Sequence, residues 1–578
     1  MTAKEVIKAQ LRAEIRITSQ KADYELPGID PAVVVQRLNV KEDIKPVRQK
    51  KRIFSTKKNQ AIQEEVDKLL EAGFIEPCDY PEWLANVVMK KEIFRMTTRQ
   101  HLHIALFPFM SKGHTIPLLD LTKVIHNHRP KATFTIFTTP ANEPFISASL
   151  STLSPNTVTI ISLPFSFTNN DIPMGVESTD RLPSMSFFHS FALTTETIQP
   201  HFETALENIR KQGNPISFLI SDGFLYWTQP SAALFNIRRL VCFGMNMYAY
   251  ALSRSVLVNE LFSGVESKDE EIQIPEFPLI KVRIDDFDSS FHEKFDTQEP
   301  KFDFNFKFLN SVMMSCGVIM NSFSELEQPF VEYMNSISNE PKSWCVGPFC
   351  LADKPTTLES PEMPEWMKWL DKKWDEGKHV MYIAFGSQAE ISNEQLKEIL
   401  TGLEKSEACF LWALRIKPSQ EEIMEGFEER IKERGLVVRG WVEQRDILEH
   451  KSVQGFLSHC GWNSAIESIC AGVPILAWPM MADQHLNAKM VAEEIEVGVR
   501  VETIDGSPRG FVKWDGLSKM VRELMEGDMG KNVRKKVKEL SEVARKSVEE
   551  GGSSWCNMEL LLNELDMEQI KKECPSTV

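Results

Sequence analysis

Three short stretches carry side chains able to do chemistry together: "GFLSHCGWNSAIESICAG" (455–472), "FPFMSKGHTIPLLDL" (107–121) and "LISDGFLYW" (219–227). In the first, an apolar run ends in His459, Cys460 and Gly461, and a helix-like run starts at Trp462, Asn463 and Ser464. A parallel strand that turns at a glycine into a helix leaves free N–H groups and a partial positive charge at the helix start. That end suits a phosphate, and His459 adds a donor beside it. Asn463 or Ser464 can cap the helix. Ser464 to Glu467 also has the spacing of a capping box, so Glu467 has a purely structural reading as well. A second turn, "AFGSQAE" (384–390), offers backbone N–H groups and the Ser387 hydroxyl. In the other two stretches His114 follows a strand beside Gly113, and Asp222 closes another strand. A lone histidine is more often structural than catalytic, but the carboxyl end of a strand is where an acid–base group meets a ligand. Asp222 taken alone fits a turn residue after a strand.

The elements that would position these groups are legible as alternating patterns. "LHIALFPF" (102–109), "ATFTIFTTP" (132–140), "VTIISLPF" (158–165), "ISFLISD" (216–222) and "RLVCFG" (239–244) have strand length and composition; "TIPLLDLTKVIHN" (115–127) has helical spacing. The alternation restarts with strands at 378–387, 408–415, 435–442, 453–459 and 473–479 and a helix at 393–406, and helices at 531–550 and 555–572 close the chain. Strands alternating with amphipathic helices predict two α/β domains, each a Rossmann-like, doubly wound parallel sheet. The Pro-, Ser-, Thr- and acid-rich "LADKPTTLESPEMPEW" (351–366) reads as a linker. The expected division is an extension (1–95), a first domain (96–346), a linker (347–365), a second domain (366–555) and a C-terminal helix and tail (556–578). Two such domains make a cleft at the carboxyl ends of their strands.

Composition narrows the function. At 578 residues the chain is too long for one core. Its formal charge of −16 argues against a nucleic-acid binder as a whole. The charge is uneven: residues 1–95 hold 18 Lys and Arg against 15 Asp and Glu, while the rest holds 48 against 67. Ten scattered cysteines without a CxxC pair speak against a zinc site or disulfide framework and for a reducing, cytoplasmic setting. The start has no signal-peptide pattern and no run is long and apolar enough for a membrane span. The absence of GxGxxG and GxxxxGK[ST] disfavours dinucleotide oxidoreductases and P-loop NTPases.

Residues 441–484, "WVEQRDILEHKSVQGFLSHCGWNSAIESICAGVPILAWPMMADQ", resemble the 44-residue signature box of plant UDP-sugar-dependent glycosyltransferases acting on small molecules, and the resemblance extends over about residues 100–565. It implies the GT-B fold. By this resemblance Trp441 stacks on uracil and Val442 reads the base edge through its backbone. Gln444 and Glu467 hold the ribose; His459, Asn463, Ser464 and Ser387 contact the diphosphate; Trp462, Asp483 and Gln484 line the sugar. Gln484 at the last box position points to UDP-glucose as co-substrate, and Asp483 departs from the commoner Glu. His114 becomes the general base, oriented by Asp222, in a single inverting displacement without a metal or other cofactor. Relatives often carry Thr or Ser near the sugar's 6-hydroxyl, where this chain has "FGMNM", with Met245 near that place and Asn246 a substitute. "DFD" (286–288) matches a metal motif of another glycosyltransferase fold in three residues only and receives no role. The Phe- and Met-bearing 171–188 suits a flat apolar acceptor such as a flavonoid, phenol, terpenoid or hormone.

Residues 26–92 resemble the leading segment of Ty3/gypsy-type retrotransposon polyproteins, ahead of the polymerase palm, and no Y-x-D-D follows. A helix is expected over 59–74, with weak packing around it for want of a core of its own. Met96 opens the glycosyltransferase-like text; a chain starting there would have 483 residues. The expected partners are a UDP-sugar and a small acceptor, with no nucleic acid, and a monomer is expected. The alternative is a nucleotide-sugar-binding protein inactivated by the N-terminal fusion. A nucleic-acid-binding remnant rests only on the basic run 45–58.

Overall fold

The computed structural model describes residues 75–76, 88–89, 102–166, 172–288, 291, 300–352 and 363–573. The chain divides into two units, one of residues 13–100 and one containing 101–578. Within the first, Ile75–Glu76 pairs antiparallel with Val88–Met89. The expected helix at 59–74 lies outside the described residues, as does most of the linker.

The second unit holds both predicted sheets. The first has seven strands: β1 (His103–Phe107), β2 (Thr133–Thr138), β3 (Val158–Ser162), β4 (Phe218–Asp222), β5 (Arg238–Cys242), β6 (Gly317–Met320) and β7 (Ser343–Cys345). They run in the order β7-β6-β5-β4-β1-β2-β3, all parallel. The second has six: β8 (Val380–Ala384), β9 (Cys409–Leu414), β10 (Gly435–Arg439), β11 (Val453–Ser458), β12 (Ile475–Ala477) and β13 (Gly498–Arg500), ordered β10-β9-β8-β11-β12-β13 and again parallel. β1, β4 and β8 are buried along their whole length, which is why they read as unbroken apolar runs rather than alternating ones.

The helices that matter for the site are α1 (Lys112–His128), α2 (Glu143–Ser149), α3 (Phe188–Thr194), α4 (Met247–Asn259), α5 (Pro300–Met313), α6 (Gln444–Glu449), α7 (Trp462–Ala471), α8 (Gln484–Lys489), α9 (Asp528–Val548) and α10 (Ser553–Glu573). α1 begins three residues before its predicted start. Pro117 lies inside the helix, past the free donors of the first turn, and its missing N–H leaves the Gly113 carbonyl without an intrahelical donor. α10 departs from the expected division. Met558, Leu561, Leu562 and Leu565 are buried in the same cluster as Leu102, Ile104, Leu118 and Phe134. The chain therefore returns to complete the first domain, whose core is not contiguous in sequence.

Candidate active site

Every candidate chemical group follows the carboxyl end of a strand. His114 comes seven residues after β1, in the first turn of α1, and Asp222 is the last residue of β4. His114 Nδ1 lies 2.7 Å from Asp222 Oδ2. The other carboxylate oxygen, Oδ1, accepts the backbone N–H of Phe224 at 2.8 Å. Asp222 is thus held from both sides, and the hydrogen bond fixes the imidazole tautomer with its proton on Nδ1. Burial pushes the His114 pKa down, but the adjacent Asp222 carboxylate outweighs it and, with a smaller contribution from Asp483, leaves it above the ordinary 6.5. The ring rests against Gly244, after β5: a Cβ there would sit 2.9 Å from His114 Cε1. Gly244 is in effect the floor on which the histidine lies.

A cavity of about 1050 Å³ separates the two sheets. Gly113, Asp120 and Phe145 line it from the first domain; Ser387, Trp441, Val442, Gln444, His459, Asn463, Ser464 and Glu467 line it from the second. The strand-to-helix turn behind it differs from expectation in three ways. The left-handed residue is Cys460 (φ 61°), not Gly461 (φ −56°). Glycine is needed at 461 for space, since a Cβ would approach His459 Nε2 to 2.6 Å; Gly386, at φ 77°, would clash with the same atom at 2.7 Å. No side chain caps α7, whose N-cap is Gly461. Asn463 instead donates to Gly113 O at 2.6 Å and accepts from Asn321 Nδ2 at 2.9 Å. Ser464 Oγ accepts from Gln444 Nε2 at 2.9 Å, and Glu467 Oε2 accepts from the same amide at 2.7 Å. Glu467 is therefore not the far half of a capping box, and its carboxylate faces the cavity. The uncapped start of α7 leaves the N–H groups of its first turn to a ligand. His459 is half-buried at the cavity wall, and desolvation lowers its pKa to about 4, so it stands there as a neutral imidazole.

Trp441 is about half exposed (47%) over the cavity, with Phe145 of α2 edge-on at 6.2 Å. Lys112 Nζ lies 3.1 Å from the Phe145 ring centroid and 6.0 Å from that of Trp441. The sugar-side residues need correction. Trp462 does not present its side chain to the cleft: it is 1% exposed, in the core, and its indole N–H donates to Asn321 O at 2.8 Å. Asp483 Oδ2 accepts from Asn487 at 2.9 Å, and burial raises its pKa. Its charge is nonetheless felt at His114. Gln484 Oε1 accepts the N–H groups of Met480 and Met481, both at 3.0 Å. Asn246 cannot substitute at the sugar: it is fully buried and caps α4, accepting from Ala249 N at 2.7 Å. Asp286 of "DFD" accepts the Arg283 N–H at 2.9 Å, a local structural role.

Beside His114 lies an aromatic cluster. Phe224 is 4.9 Å and Phe109 5.8 Å from its ring, with Phe188 of α3 and Phe304 of α5 packed on Phe224 at 5.4 Å each. Of these, only Phe188 lies in the segment 171–188 expected to meet the acceptor. Sequence reasoning also missed Gln388, which donates across the cleft to Ser111 Oγ (3.0 Å) and Thr179 Oγ1 (2.6 Å), and Arg445, which bridges Glu467 and Asp120.

Comparison with known proteins shows the family. The family of "UDP-glucoronosyl and UDP-glucosyl transferase" matches residues 359–540. UDP-glycosyltransferase 90A1 of Arabidopsis thaliana is 52% identical over 476 residues, covering 80% of this chain and 96% of the relative. The chain is a plant-type UDP-glycosyltransferase. Scopoletin glucosyltransferase of Nicotiana tabacum is 34% identical, over 80% of this glycosyltransferase and 98% of the relative. Two solved structures share the fold. One is Glycyrrhiza uralensis UGT73P12 complexed with glycyrrhetinic acid 3-O-monoglucuronide (TM-score 0.72, 27% identity, 82% of this chain and 97% of that one). The other is Medicago truncatula UGT71G1 complexed with UDP-glucose (TM-score 0.65, 25% identity, 81% and 98%). The fold is GT-B, and the glycosyltransferase carries its two facing domains between residues 102 and 573.

Proposed function

We propose that this glycosyltransferase transfers glucose from UDP-glucose to a hydroxyl of a small lipophilic acceptor, with inversion at C1. The observation that carries the reading is the 2.7 Å contact between His114 Nδ1 and Asp222 Oδ2 at the mouth of the cleft. With Nδ1 engaged, Nε2 is the ring atom left to take a proton. In the proposed step His114 Nε2 accepts the acceptor hydroxyl proton, the oxygen bonds to C1, and the C1–O bond to the diphosphate breaks from the opposite face with its electron pair leaving on UDP. Asp222 stabilises the imidazolium that forms.

The diphosphate charge falls to protein donors: the open start of α7, Ser464, Ser387 and neutral His459. Trp441 and Val442 take the uracil, Gln444 and Glu467 the ribose. Gln484 and Asp483 take the glucose at the His114 end, with the Trp462 backbone beside them. The leaving group is handled without a metal or other cofactor. Phe188 and Phe224, half-buried and backed by the buried Phe109 and Phe304, offer apolar surface suited to a flat ring, which supports a flavonoid, phenol or related acceptor; the Nicotiana relative is a scopoletin glucosyltransferase. Cysteines that are free among the described residues support a reducing, cytoplasmic setting. Among the described residues no helix is long and apolar enough to cross a membrane. The protein acts as a monomer, and residues 26–92 are retrotransposon-derived.

The test is His114→Ala, assayed with radiolabelled UDP-glucose against a panel of phenolic acceptors. Transfer should fall to background while UDP binding, measured by calorimetry, persists. Undiminished transfer by the variant would place the base elsewhere.

A further inference from the structure

Arg445 follows Gln444 in α6, and its guanidinium joins two carboxylates that belong to different domains. Nε donates to Glu467 Oε1 at 3.1 Å, and Nη2 contacts Asp120 Oδ2 on α1. All three side chains are withdrawn from water: 28% exposed for Arg445, 11% for Glu467 and 5% for Asp120. The other Glu467 oxygen accepts from Gln444, so the two groups proposed to hold the ribose are locked to each other and, through Arg445, to the opposite lobe. Lys123, one turn along α1, lies 3.9 Å from Asp120 Oδ1.

We infer that Arg445 is a positioning residue that couples closure of the cleft to donor binding. Without it, two carboxylates of opposite domains would face each other across the ribose end of the cavity in a low-dielectric setting, where like charges repel strongly. Repulsion would part the lobes at this edge and leave Glu467 free to turn away. With Arg445 in place, the Glu467 side chain is held in position, and it retains lone pairs for ribose hydroxyls, since a carboxylate offers about four sites. Burial is the largest influence on Asp120 and leaves its pKa raised although Arg445 opposes it, with a smaller raising contribution from Glu467; on Arg445, Asp120 and Glu467 together outweigh burial and hold the guanidinium charged.

This rests on the proposed nucleotide site, and the experiment separates the two. UDP binding is measured by calorimetry, and UDP-glucose kinetics are measured where the acceptor is saturating. Wild type that fails to bind UDP overturns the nucleotide site itself. If wild type binds, Arg445→Gln should weaken UDP binding and raise KM for UDP-glucose by roughly tenfold or more, with a smaller change in kcat. Adding Asp120→Asn removes one of the opposed charges and should restore most of the lost affinity, although it deletes a second partner. A merely structural arginine would give additive losses. An unchanged UDP affinity in Arg445→Gln, or a double variant no better than the single one, would overturn the inference. Should Arg445→Gln not fold, Asp120→Asn alone serves. Removing the cross-lobe anchor while Arg445 still holds Glu467 should weaken UDP binding severalfold, and no change would count against the bridge.

Discussion

His114 can act as a base only when neutral, and its surroundings set where that happens. Burial lowers its pKa, Asp222 raises it further than burial lowers it, and the result lies above 6.5. The activity should therefore rise with pH through a limb above 6.5. Asp222→Asn removes both raising contributions from that residue. The limb should then move to lower pH, while the plateau rate drops on the order of 10²-fold or more for want of a partner for the imidazolium. Stability gives a second reading. A raised folded pKa stabilises the fold fully below the unfolded value near 6.5 and loses that contribution as pH rises through the folded value. The gap in Tm between wild type and Asp222→Asn should narrow from pH 6 upward. Gly244→Ala offers a test of placement: a Cβ 2.9 Å from His114 Cε1 must displace the ring. A fall in kcat with UDP affinity unchanged is expected.

At the scale of elements, the site depends on strand ends. β1, β4, β8 and β11 were readable because burial on both faces demands continuous apolar sequence. β6, β7 and β13 were not among the predicted strands: at four, three and three residues they are too short to carry a period, and only pairing with longer neighbours makes them strands. The C-terminal helix α10 was readable as a helix, but its docking partner was not, because its apolar residues carry no label for the domain they will bury against. Leu562, 1% exposed, packs in the first-domain core. Leu562→Ala should cost about 2–5 kcal/mol in chemical denaturation, and should destabilise the first domain although the residue lies beyond the second.

Across the whole molecule, the two lobes meet through polar contacts, among them Gln388 to Ser111 and Thr179, Asn463 to Gly113 and Asn321, Arg445 to Asp120 and Arg509 to the Asp285 and Phe287 carbonyls, and through an apolar cluster that joins Tyr248, Leu252 and Phe287 of the first to Trp462, Ile466 and Leu486 of the second. Residues 1–95 precede the first strand of the catalytic half, and relatives align with about 80% of the chain. A chain beginning at Met96 should match or exceed the full chain in UDP-glucose turnover. Turnover by the shorter chain alone would mark the leading segment as inhibitory, and inactivity of both would count against the enzyme reading.

What the sequence determined by itself was local: which runs are strands, the helix start at 462–464, the box from Trp441 to Gln484, and the histidine after β1. The strands, the helix start and the place of the histidine follow from periodicity and turn chemistry, which act between near neighbours; the box follows from its resemblance to a family signature. The tertiary structure decided the rest. It spent Asn463 on bonds across the cleft, turned the Trp462 side chain into the core, gave Asn246 to a helix cap, and set Arg445 between carboxylates 347 positions apart in number, Asp120 and Glu467. Which polar atom meets which depends on how two sheets face each other, and no short-range pattern encodes that.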